Sequence, residues 1–80
     1  YKKEITRYYN KHSKWSSIYE IINIEKIRID NAGSRNSLVH ARYRYKNRSN
    51  NKTGTSQKVF EFFLKNNRLH IIIYGKPAQL

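Results

Sequence analysis

Three histidines and five carboxylates are the side chains of this 80-residue sequence that could carry acid–base or metal chemistry, and their spacing limits both. His12, His40 and His70 stand far apart, on a helix and two different strands by the reading below, without the close spacing that converges imidazoles on one ion. The pattern predicts one packed histidine, His12 on the apolar helix face, and two on surfaces or sheet faces. Cys is absent, which removes thiolate zinc sites and disulfides together. General acid–base catalysis needs a carboxyl or imidazole in a tuned environment. Glu4, Glu20 and Glu25 suit helix or strand surfaces and Asp30 suits the start of a turn, while Glu61 alone stands among the last 50 residues. Alternation places Glu61 beside Arg42 or Arg44 as a cross-strand ion pair. A pairing with His40 or His70 is the catalytic alternative. No Gly-rich phosphate loop, nucleophile elbow or nucleotide fingerprint is present. The expectation is a protein that is not an enzyme and uses no metal or other cofactor.

Positive charge is the stronger signal. Seventeen Lys and Arg against five Asp and Glu give a formal charge of +12. The first 30 residues contribute +3 of it and the remainder +9. Arg42, Arg44 and Lys46 alternate along one strand face, and Arg48 and Lys52 continue the series into the following loop. These five are the candidate residues for binding an anionic partner. Such a stripe suits phosphates, yet Tyr43 and Tyr45 point to the opposite face, so stacking platforms for bases are lacking beside it. The chain is also dense in Lys, Asn, Ile and Tyr, with ten, nine, ten and seven. A/T-rich codons produce that composition, which accounts less well for the seven Arg and the scarce acids. The matches Asn47-Arg48-Ser49 and Asn51-Lys52-Thr53 to the N-glycosylation pattern are expected by chance in a chain with nine Asn.

The elements that must hold these residues follow from the periodicity of the chain. Ile5, Tyr8, Tyr9, His12, Trp15, Ile18, Tyr19 and Ile22 recur at helical spacing from Lys3 to about Ile22. Ser13, Ser16 and Ser17 weaken the middle, and Ser17 to Glu20 reads as a capping box. The reading is a helix broken near His12 with a short second helix, one continuous helix being the alternative. From Ile21 to Asp30 a strand with a bulge near Glu25-Lys26 puts Ile22, Ile24, Ile27 and Ile29 on one face. Asn31 to Ser34 is turn chemistry. Ser37 to Lys46 is a half-buried strand, with Val39, Ala41, Tyr43 and Tyr45 inward and His40, Arg42, Arg44 and Lys46 outward. Asn47 to Ser56 reads as a long mobile hairpin loop. Lys58 to Lys65 is the third strand, Asn66-Asn67 the tight turn, and Arg68 to Tyr74 a fourth strand buried on both faces. Gly75 and Pro77 end it. The fold class is α+β: a helix on a four-stranded antiparallel sheet, in one small domain covering residues 1–80.

The stretches Val39–Tyr45, Lys58–Leu64 and Arg68–Gly75 resemble the C-terminal part of the nuclear-transport-factor-2-like superfamily, whose members close with a curved antiparallel sheet wrapped against helices. The resemblance covers roughly the last 45 residues. It implies a curved sheet and a scaffold that serves, in bacterial envelope and secretion proteins, as a non-catalytic assembly or ligand-binding module. A start at Tyr1 and the lack of any Met are expected of a segment excised from a longer protein, with its anchor or targeting signal elsewhere. No apolar run reaches the roughly 20 residues of a membrane span. The functional expectation is an interaction module of a larger, envelope-associated bacterial protein that binds an anionic partner surface, a protein or another anionic surface, with a nucleic-acid-binding domain contacting phosphates through the basic sheet face and loop as the alternative.

Overall fold

The computed structural model of the chain describes residues 1–31, 33 and 35–80. One helix, α1 (Lys2–His12), precedes four strands, β1 (Tyr19–Asn31), β2 (Asn36–Asn47), β3 (Thr53–Lys65) and β4 (Arg68–Tyr74). The strands pair antiparallel in the order β1-β2-β3-β4, an open meander in which each strand neighbours the next in sequence. Most of the turn between β1 and β2 was expected at Asn31–Ser34; Ala32 and Ser34 lie outside the described residues.

The helix forms where Ile5 and Tyr9 share a face and Glu4, Lys11 and His12 complement its dipole. It stops at Ser13, which turns extended, and whose hydroxyl donates to the Tyr9 carbonyl at 2.7 Å. No second helix follows. Ser13–Ile18 makes tight turns, with Ser16 N–H on the Ser13 carbonyl and both Ile18 and Tyr19 N–H on the Trp15 carbonyl. Glu20, read as part of a capping box, sits in β1 instead. The six residues Ser13–Ile18 hold too few turns to repay helix nucleation, and β2 offers Tyr19 and Glu20 a strand partner in Asn47 and Lys46.

β1 carries two register shifts, one between Ile21 and Asn23 and one between Ile24 and Lys26. The second is the expected bulge. The first makes Ile22 an extra residue, so Ile21 rather than Ile22 joins Ile24, Ile27 and Ile29 opposite Tyr45, Tyr43, Ala41 and Val39. Ile21 is buried and Ile22 exposed accordingly. Asn10 reaches from α1 to close this edge. Its carboxamide donates to the Ile21 carbonyl at 3.1 Å and accepts the Ile21 N–H at 2.7 Å, the pair of bonds a neighbouring strand would make.

The β2–β3 loop is shorter than expected. Pairing continues to Lys46 opposite Thr53, leaving Arg48–Lys52 as the connection. Asn47 Oδ1 accepts from the Ser49 N–H and hydroxyl, Asn50 Oδ1 accepts the Lys52 N–H, and Asn51 takes φ 60°. Side-chain amides thus replace missing backbone partners. Gly54 is fitted to Tyr45: a methyl there would stand 2.6 Å from the tyrosine hydroxyl oxygen. Asn66 and Asn67, at φ 53° and 62°, form the tight turn in the left-handed region that both central residues of such a hairpin need.

The core is Ile5 and Tyr9 of α1 against Ile21, Ile24, Val39, Ala41, Tyr43, Phe60 and Phe62 of the sheet. β4 is not buried on both faces. It is an edge strand, with Ile71 and Ile73 half-buried on the helix side and Ile72 exposed on the other. The far face is partly covered too. After β4 the chain folds back, Gln79 N–H donates to His40 Nδ1 at 3.0 Å, Ala78 is buried, and Val59 opposite His40 is wholly buried.

Candidate anion-binding site

The five predicted cations divide by what their neighbours do. Arg42 lies 3.6 Å from Glu25, and Lys46 lies 2.9 Å from Glu20. The Lys46 ammonium holds the Glu20 carboxyl below its ordinary range by hydrogen bonding, with Arg48 adding charge. Arg44 is exposed and meets only the Thr53 hydroxyl, at 3.5 Å. Lys52 lies exposed at the hairpin tip with no carboxylate partner among the described residues. Arg48 turns back to the body of the domain: Nε donates to the Ser16 carbonyl at 2.8 Å, Nη2 approaches the Asn10 carbonyl at 3.5 Å, and Nη1 approaches Glu20 at 3.4 Å. The stripe is therefore contiguous on β2 through Lys46, is half neutralised by β1, and leaves Arg44 and Lys52 available.

The histidines and Glu61 are placed differently from expectation. His40, expected on a wet face, is buried between Asp30 Oδ2 (3.1 Å from Nε2) and the Gln79 N–H. Because Nδ1 accepts that N–H, the ring's proton sits on Nε2 and is directed at Asp30, which Arg28 also engages at 3.0 Å. His12, expected to be packed, is exposed beside Tyr8, and His70 stacks on Phe63. Glu61 accepts from Asn36 Nδ2 at 2.7 Å and from the Tyr74 hydroxyl, whose ionisation that bond pushes upward. Among the described residues it pairs with neither arginine nor histidine. Asn36 and Tyr74 claim it because β2 and β4 place them on either side of it, Arg42 and Arg44 lying further along β2. Among the described residues no three His, Asp or Glu side chains gather as a metal site would require.

A second cationic group escaped sequence reasoning. Trp15, held by the turns after α1, stacks nearly parallel on Tyr9, with centroids 5.9 Å apart. Lys14 Nζ stands 4.9 Å and Lys58 Nζ 4.4 Å from the centre of the Trp15 ring. The rings and lysine line a cleft of about 140 Å³ with Tyr19, Tyr43, Tyr45 and Ser56. Burial pushes the Lys58 ammonium below its ordinary pKa, and Lys14 adds like-charge repulsion. Burial likewise pushes Tyr9 and Tyr43 upward, so their hydroxyls remain protonated donors. Neither ammonium has a carboxylate partner among the described residues. The indole face supplies part of the missing compensation. The only sequence signal was the alternation of Lys58 with Phe60 and Phe62, which puts a cation on the parity that faces the helix; the register then sets it opposite Ala41.

No helix among the described residues is long and apolar enough to cross a membrane. Compared with protein-family models, curated proteins and solved structures, the chain matches none of them.

Proposed function

We propose that this domain is a non-catalytic interaction module that binds an acidic partner protein. The observation that carries the reading is the Lys14–Lys58 pair on one indole, two cations without a carboxylate partner among the described residues, beside hydroxyl groups in an aromatic cleft. A carboxylate arriving there relieves the repulsion and compensates the partly buried ammonium. Arg44 and Lys52 add positive charge at the β2–β3 hairpin end of the sheet. The nucleic-acid alternative has less support, since Trp15 already stacks on Tyr9 and carries two ammoniums, leaving little ring surface for a base. Membership of a larger, envelope-associated bacterial assembly, and the curved nuclear-transport-factor-2-like scaffold, belong to the same proposal and rest on the resemblance of the last three strands.

Trp15 is the sole tryptophan and so reports on its own site. Titration with oligoglutamate at low ionic strength is expected to change its emission saturably, with affinity falling as salt screens the charges. The double variant Lys14→Gln/Lys58→Gln is expected to lose most of that response. An unchanged spectrum throughout the titration would overturn the reading. A stronger, saturable response to oligothymidylate than to oligoglutamate would replace it with nucleic-acid binding.

A further inference from the structure

The two free edges of the sheet are built differently. β1 has two bulges, five charged residues (Glu20, Glu25, Lys26, Arg28 and Asp30) and the Asn10 carboxamide closing Ile21. These are the devices that keep foreign strands off an edge. β4 has none of them after Arg68: its pairing with β3 runs without a shift from Lys65 opposite Arg68 to Val59 opposite Tyr74, and Leu69–Tyr74 contains no charge, bulge or proline. Leu69 and Ile72 are more than 40 % exposed.

A groove accompanies this bare edge. Tyr1, Glu4, Tyr8 and His12 lie three or four residues apart on the flank of α1 that faces β4. Two clefts follow that flank, about 370 Å³ beside Leu64 and Leu69 and about 340 Å³ beside Ile71 and Ile73. The second is also lined by Lys14 and Trp15, so it adjoins the cation pair. At the first, Glu4 Oε2 has no hydrogen-bond partner and lies 3.8 Å from the Tyr1 ammonium, on a side chain 43 % exposed.

Resting on the acidic-partner reading above, we propose that an extended segment of that partner adds to β4 as a fifth strand. Its backbone takes the free hydrogen-bonding groups of β4, and alternate apolar side chains enter the groove against Leu69, Ile71 and Ile73. An acidic side chain then reaches Lys14 and Lys58 at one end, and an N–H or hydroxyl donor meets Glu4 at the other. A charge of +12 selects an acidic segment and opposes a second copy of this chain at the same edge.

The test uses the full chain and a capped seven-residue peptide alternating Val and Thr with Glu at one end, matched to the seven residues of β4. Amide shift changes and slowed hydrogen exchange are expected at Leu69–Tyr74. N-methylation of alternate peptide amides, made in both registers, is expected to weaken binding about tenfold or more in one of them. Equal binding by both methylated peptides, or shifts confined to β1, would overturn strand addition. If the peptide fails while oligoglutamate still perturbs Trp15, strand addition falls and the acidic-partner reading stands; if both fail, both fall. Concentration-dependent dimerisation through β4 in sedimentation would assign the edge to a second copy and overturn the proposed occupant.

Discussion

Arg48→Ala separates a residue that binds partners from one that holds the domain together. The guanidinium joins three pieces: the end of α1 at Asn10, the turn at Ser16 and β1 at Glu20. Its 2.8 Å bond to the Ser16 carbonyl is charge-assisted and falls in a class contributing about 1.5–3 kcal/mol. The side chain is 38 % exposed, so the lower end applies, and the 3.5 Å approach to Asn10 adds little. A loss of about 1.5 kcal/mol corresponds to roughly 6–12 °C in Tm for a domain of this size. Urea and thermal unfolding followed by circular dichroism measure it. Arg48→Lys should recover less than half, because an ammonium cannot reproduce the forked donor geometry. Arg44→Ala, an exposed change with one weak contact, should stay within about 0.5 kcal/mol of the parent. Equal, small effects at Arg48 and Arg44, or full rescue by lysine, would refute the assignment of Arg48 as a clamp.

Glu20 gives the pH dependence its sign. Its folded carboxyl ionises below the ordinary 4.5, chiefly through the Lys46 hydrogen bond. That contribution is complete above about pH 4.5 and is lost as pH falls through the lower folded value. Glu20→Gln should flatten the acid limb of the stability curve in that interval and lower stability at neutral pH, as read by urea midpoints across pH. At the β3–β4 turn, Asn67→Ala keeps a β-carbon at φ 62° but loses the carboxamide that lets Asn tolerate it, and should cost about 1 kcal/mol, whereas Asn67→Gly removes the β-carbon and should cost nothing or stabilise; urea unfolding distinguishes them.

The features legible in the sequence were those that two-residue or helical periodicity encodes directly. Val39, Ala41, Tyr43, Phe60 and Phe62 turn inward as alternation requires, and Ile5 and Tyr9 face them from the helix. Asn66-Asn67 announced its turn because Asn is the side chain that tolerates the left-handed region. The misread parts depend on contacts between distant segments. Ile22 looks like a core residue until Asn10 fixes Ile21, and Thr53–Ser56 look like loop until Lys46–Tyr43 offer them a ladder. His40 sits on the strand face that alternation predicts, but a returning C-terminal segment buries it. The five candidate cations were visible as a run, while their neutralisation depended on the register of β1. The Lys14–Trp15–Lys58 group joins a turn to a strand more than 40 residues later, and no local pattern reveals that.

The same separation orders the folding reaction. Every β pairing in the meander joins consecutive strands, and the β3–β4 hairpin closes through Asn66-Asn67 over the shortest connection. The eleven residues of α1 are too few to persist alone in water. Asn10 ties α1 locally to Ile21, but its aromatic anchors come from chain far downstream, as in the edge-on packing of Tyr1 against Phe62 at 4.9 Å and of Tyr9 near Tyr43 at 5.6 Å. Loop-closure entropy therefore places helix docking after hairpin assembly. Trp15, stacked on Tyr9 at the end of α1, senses that last event, so its emission in a stopped-flow trace should lag the circular-dichroism signal of the sheet.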